Sequence, residues 1–99
     1  MSLLVRYTLK DAADHAKQVT AMQALVADLK AEGIAGLSYT CFETDVATEF
    51  MGILEFPDET IFKAFQASQA FAAYRERVST TFANPPQTSP VSRIASTRD

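Results

Sequence analysis

Along residues 3–10, apolar Leu3, Val5, Tyr7 and Leu9 alternate with Leu4, Arg6, Thr8 and Lys10. A period of two sends successive side chains to opposite faces, so this run predicts a first strand with one face on a core. The period then changes: Val19, Met22, Val26 and Leu29 recur at three- and four-residue spacing, the mark of one helical face. Asp11 or Asp14 can cap the start of that helix and Gly33 can stop it, giving about four to five turns. Next, Leu37, Tyr39 and Cys41 oppose Ser38, Thr40 and Phe42, and after the turn-prone residues 44–48 a second alternating run, EFMGILEF, occupies 49–56. Two strands with so short a connection read as a hairpin. Pro57 ends the second of them, Asp58 can cap a helix with Glu59 in its first turn, and Phe62, Phe65, Phe71 and Tyr74 then return at helical spacing. That helix is expected to run to about Phe82. The stretch ANPPQTSP breaks it, because Pro85 and Pro86 cannot continue a helix. The tail VSRIASTR predicts a last strand with Val91 on one side and Ile94 on the other.

The order strand, helix, strand, strand, helix, strand is the split βαββαβ pattern of a ferredoxin-like α+β domain. It places both helices on one face of a four-stranded antiparallel sheet. The other face would then be uncovered. It would carry Leu4, Arg6 and Thr8, with Phe42 or Met51 and Ile53 beside them, turned to water or to a second subunit.

Length and composition narrow the picture. With 99 residues, 47% of them apolar, the chain is expected to be one domain, 1–99, with a single modest core. Its apolar runs are too short to cross a bilayer and no basic-then-apolar leader opens it, so a soluble, cytoplasmic protein is expected. Cys41 is the one cysteine, which leaves no intramolecular disulfide and reads as a small buried hydrophobe. Twelve acidic against nine basic side chains give a net charge of −3, and the basic ones are scattered, so nucleic acid is not an expected partner. His15, the sole histidine, lies near Asp11 and Asp14, but their spacing matches no zinc pattern and reads as a solvated helix N-terminus. No glycine-rich nucleotide loop is present either. No metal and no cofactor is implied.

Three stretches, VRYTLK, GLSYTCFET and EFPDETIFKAFQASQAF, carry a resemblance over essentially the whole chain. The sequence resembles the dimeric α+β barrel superfamily, and within it the antibiotic biosynthesis monooxygenase-like group of small proteins. The resemblance implies a homodimer formed by sheet-to-sheet packing, and in each subunit a cavity between its sheet and helices. Members described as monooxygenases oxidise planar phenolic or quinol-like compounds without metal or flavin, the electron-rich substrate itself reducing oxygen.

Such a site needs an apolar slot, a hydrogen bond or base to favour a phenolate, and polar or positive groups near the oxygen. On this resemblance, Tyr7, Tyr39 and Tyr74 are candidate donors and Glu55, where the family often has a glutamate ending its third strand, is a candidate base. Phe65 would line the slot, and Arg75 would meet an anionic substrate or superoxide at its mouth. Each also has a plain structural reading: core tyrosines with satisfied hydroxyls, a glutamate paired with arginine or capping a helix, a solvated arginine. The chain departs from relatives in two respects. Phe65 stands where quinol-oxidising relatives often place a histidine. The tryptophan and axial histidine of haem-degrading relatives are missing, which argues against haem degradation. A non-catalytic dimeric module that binds a small apolar ligand or a protein is the competing expectation. Within the aromatic helix, Phe65 and Tyr74 are expected to border the cavity, with Phe62, Phe71 and Val78 as ordinary core.

Overall fold

The structure, a computed structural model, describes residues 1–98. Four strands, β1 (Ser2–Thr8), β2 (Ser38–Glu43), β3 (Glu49–Glu55) and β4 (Gln87–Val91), form one antiparallel sheet in the order β2-β3-β1-β4. Three helices, α1 (His15–Glu32), α2 (Glu59–Gln66) and α3 (Gln69–Val78), complete the ferredoxin-like α+β arrangement. Register follows the alternation in the sequence. Val5 sits opposite Gly52, Tyr7 opposite Phe50, and Tyr39 opposite Leu54, so the residues that share the helix-covered face come from three strands.

α1 starts after a short 3-10 turn, Ala12–Asp14, whose cap is Asp11, its carboxylate accepting from the Ala13 N–H. Gly33 ends the helix in the left-handed region, φ 66°, where its N–H closes on the carbonyls of Leu29 and Lys30. The buried face of α1 is Gln18, Ala21, Met22, Leu25 and Leu29, whereas Val19 and Val26 are only half covered. This face is turned from the apolar stripe the sequence suggests because α1 packs on α3 as well as on the sheet. His15 holds the start of α1 to the β2–β3 connection. Its Nδ1 lies 2.7 Å from the Ala47 carbonyl and its Nε2 2.8 Å from the Glu43 carboxylate, and these two acceptors raise its pKa above the ordinary value.

Two sequence expectations need correction. The aromatic helix is not continuous to Phe82: it breaks at Ala67–Ser68 and ends at Val78. Ser68 has extended backbone, its Oγ accepts from the Phe71 N–H, and Glu32 at the end of α1 accepts from the Ala70 N–H. A serine cap and a carboxylate from a neighbouring helix satisfy the free N–H groups of a new helix start, which outweighs continuing the old one.

The last strand lies earlier than VSRIASTR, at Gln87–Val91, inside the stretch read as a break. β4 is an edge strand paired only with β1, and an edge tolerates Pro90, which has no N–H to donate. Beyond it Ile94 is fully exposed, and Arg93 reaches back to Glu55.

No helix among the described residues is long and apolar enough to cross a membrane.

Candidate functional site

Below α2 and α3 the covered face of the sheet leaves a cavity of about 360 Å³. Leu3, Val5 and Tyr7 of β1, Tyr39 of β2 and Leu54 of β3 make its floor, and Phe62, Phe65, Phe71, Tyr74 and Val78 make its roof. The exposed lining residues Gln66, Arg75, Ser79, Pro86 and Thr88 mark its rim. The break at Ser68 is what lets one aromatic segment roof the space from two helices. Phe65, at the end of α2, packs on Phe71, at the start of α3, with ring centres 4.7 Å apart.

All three tyrosines of the chain line this cavity. The Tyr7 and Tyr39 hydroxyls are hydrogen-bonded to each other. Tyr74 stands edge-on to Tyr7, ring centres 6.4 Å apart, and its oxygen accepts from Gln18 Nε2 at 2.9 Å, across from α1. Burial is the leading cause that raises each tyrosine pKa: Tyr7 goes to about 12, and Tyr39 and Tyr74 go up further, Tyr7 adding to both through Coulomb repulsion. All three hydroxyls therefore keep their protons at neutral pH. Burial likewise pushes the Cys41 thiol up to about 11, so it is not a ready nucleophile.

Gly52 explains how Tyr39 reaches Tyr7. A Cβ at position 52 would lie 2.5 Å from the Tyr39 ring and 2.7 Å from its oxygen, so only a glycine lets the ring lie flat on the sheet. Tyr39 also borders a groove of about 540 Å³ between α1 and β2, so it lines both spaces.

The remaining candidates divide. Phe65 lines the cavity, 5% exposed, and meets Tyr39 edge-on at 6.0 Å. Arg75 sits at the rim with its guanidinium carbon 4.9 Å from the Phe71 ring centre, and it makes no ion pair with a described residue. Glu55 is not brought to the cavity. Strand alternation turns it to the helix-free face, where its carboxylate accepts from Arg93 at 2.8 Å. The expected division between lining and core also fails, because Phe62, Phe71 and Val78 line the cavity as much as Phe65 and Tyr74 do. Gln18 and Gly52 are site residues that the sequence reading missed. Gln18 falls in phase with Met22, Leu25 and Leu29, and a glycine inside a strand marks a close approach; those were the available signals.

Comparisons with known proteins agree with this architecture. No family model matches the sequence, and no curated protein is significantly similar to it. Solved structures do match. An antibiotic biosynthesis monooxygenase aligns over 95% of this chain and 98% of its own, TM-score 0.79, at 14% identity. SnoaB, a cofactor-independent oxygenase from Streptomyces nogalater, aligns over 99% of this chain and 96% of its own, TM-score 0.74, at 14% identity. A protein of unknown function from Nitrosomonas europaea aligns over 96% and 89%, TM-score 0.77, at 20% identity. The chain has the fold of the antibiotic biosynthesis monooxygenase-like proteins. At these identities the likeness is one of fold, and one of the three matches has no known activity.

Proposed function

We propose that the protein is a cofactor-independent monooxygenase-like enzyme whose cavity takes a small planar phenol or quinol-like compound. The observation that carries this reading is the convergence of three protonated tyrosine hydroxyls on an otherwise apolar slot. Apolar walls favour a flat hydrocarbon body, and buried O–H donors stabilise an oxyanion more strongly than water-exposed ones do. Tyr74 is the donor to that oxyanion. Tyr7, Tyr39 and Phe65 bind the ring system, and Arg75 attracts negative charge at the rim. For a phenol whose keto tautomer carries a CH₂ group, the bound anion passes one electron to O₂. The resulting pair combines to a peroxide at that carbon, and loss of water leaves a carbonyl. One oxygen atom ends in the product and the other in water.

The competing reading, a non-catalytic module that binds the same ligand class, is favoured by one feature: no carboxylate or imidazole lines the cavity among the described residues. Under the enzymatic reading the proton must leave to solvent, which suits acidic phenols. Oxygen uptake separates the two. With anthrone as substrate, the enzyme is expected to consume one O₂ per anthraquinone formed, above the uncatalysed rate, and Tyr74→Phe to be slower. Saturable binding of anthrone with no added oxygen uptake would leave the binding module.

We further propose that two copies pack through their helix-free sheet faces. Phe42 and Val91, 44% and 40% exposed, flank half-buried Leu4, Met51 and Ile53 there. Left open, this surface would be a contiguous apolar patch of the kind that marks an interface. Light scattering in dilute solution is expected to give twice the chain mass, and a monomer at micromolar concentration would refute the pairing.

A further inference from the structure

Gln18 is a polar side chain in an apolar place. It is 1% exposed, on the face of α1 that carries Met22, Leu25 and Leu29, and its Oε1 has no hydrogen-bond partner among the described residues. A buried amide oxygen without a donor costs stability, and a leucine or methionine of similar size would fill the same space without that cost. The amide thus carries a cost that an apolar side chain would not, and only its bond to Tyr74 offsets it. The one hydrogen bond Gln18 makes goes to the cavity: its Nε2 donates to the Tyr74 hydroxyl oxygen at 2.9 Å. A phenol oxygen that is already accepting from one side has its own proton directed elsewhere. Tyr74 lines the cavity beside Tyr7, so the proton points along the cavity wall, within reach of the Tyr7 hydroxyl and of an acceptor that the cavity holds.

We propose that Gln18 is a positioning residue, which holds the Tyr74 hydroxyl as a donor toward an oxygen acceptor, a phenolate or carbonyl oxygen, of the bound ligand. This rests on the proposed ligand class and extends it: the ligand presents an acceptor to Tyr74, not a donor. Gln18 touches no ligand in this arrangement and acts only through Tyr74. The Tyr7–Tyr39 pair supplies the second polar point of the slot.

The probe is 4-nitrophenol, whose phenolate absorbs apart from the neutral phenol, so that absorbance reports both binding and the ionisation of the bound form. In Gln18→Leu, binding of the phenolate is expected to weaken by about three- to tenfold, the loss of one oriented hydrogen bond. The pKa of bound nitrophenol should rise relative to that in the parent complex, and the unfolding midpoint should stay level or increase. A merely structural glutamine would show the reverse: lower stability and an unmoved probe pKa. Adding Gln18→Leu to Tyr74→Phe should bring no further loss, since the partner is already gone. A parent protein that binds no nitrophenol overturns the ligand class itself and this inference with it. Binding by the parent, with Gln18→Leu equally tight or with its loss persisting in the Tyr74→Phe background, overturns the role of Gln18 alone.

Discussion

The two faces of the sheet are built from the same strands and meet different fates. On the covered face Val5, Tyr7, Phe50 and Leu54 are at most 8% exposed, and α1, α2 and α3 close over them. On the other face Leu4, Met51 and Ile53 are only half covered, and Phe42 is 44% exposed. Adjacent residues in one strand thus belong to a completed interior and to an uncompleted one. The covered face satisfies its tyrosine hydroxyls with one another and with Gln18, so it can hold polar groups at low cost and still leave a cavity. No helix among the described residues lies over the free face, and a hollow of about 210 Å³ at its end, beside Arg6, Glu49 and Gln87, is lined mainly by polar side chains. The proposed pairing of two copies would complete this face.

The largest effect that would break this contrast is expected at Phe65. Its ring is nearly fully buried and packs on Tyr39, Phe62 and Phe71. Phe65→Ala is expected to cost about 3–5 kcal/mol, against about 1 kcal/mol or less for Met51→Ala on the free face of a dissociated chain. The existing cavity suggests a smaller cost for Phe65, but those three ring contacts argue against it. Urea unfolding of both variants at low protein concentration would decide, and equal losses would mean that the two faces do not differ as described.

Gly52→Ala comes next, because its new methyl group would push the Tyr39 ring off the sheet and break its bond to Tyr7. Overpacking of this kind costs about 2–3 kcal/mol. The tyrosine circular-dichroism signal should change along with the unfolding midpoint, and an unchanged spectrum would show that the ring can stay.

Alkaline pH tests the covered face from another side. Burial holds the folded Tyr7 pKa at about 12, against 10 for the ordinary group, and the folded Cys41 pKa at about 11, against 9. A folded pKa above the unfolded one means that the contribution is intact below the unfolded value and is lost as pH rises through the folded one. Stability is therefore expected to fall from about pH 9 upward, Tyr7 alone accounting for about 2–3 kcal/mol by pH 12. Denaturant midpoints at pH 8, 10 and 11 would show it, and Tyr7→Phe should flatten the decline.

The smallest change in the fold, with a large change in assembly, is expected from Ile53→Asp. On a half-exposed face the monomer should lose no more than about 0.5–1 kcal/mol. In the proposed dimer the same carboxylate would be buried without a partner and should dissociate it. Sedimentation would then report a single chain that unfolds much as the parent subunit does.

The alternation of Leu3, Val5, Tyr7 and Leu9, the cap-and-stop signals at Asp11, Gly33 and Asp58, and the hairpin at residues 44–48 were legible because each is set by neighbours a few residues away. They were enough to order the elements and to choose which side of each inner strand is covered. Three features were local in appearance and global in cause. The helix breaks at Ser68 because Glu32, thirty-eight residues before Ala70, takes up its N–H. β4 forms from QTSPV, not from the more apolar-looking tail, because β1 offers it an edge where a proline does no harm. Glu55 lies away from the cavity because its strand parity points it to the other face, toward Arg93.

The site followed the same rule. Tyr7, Tyr39, Tyr74, Phe65 and Arg75 could be named from residue type and resemblance, and tertiary packing then gathered them around one cavity. What turns those side chains into an arrangement, Gly52 beneath the Tyr39 ring and Gln18 behind the Tyr74 hydroxyl, depends on contacts between strands and helices far apart in the chain. A periodic pattern encodes which face is buried. Which atom each buried group meets is decided only when the faces are brought together.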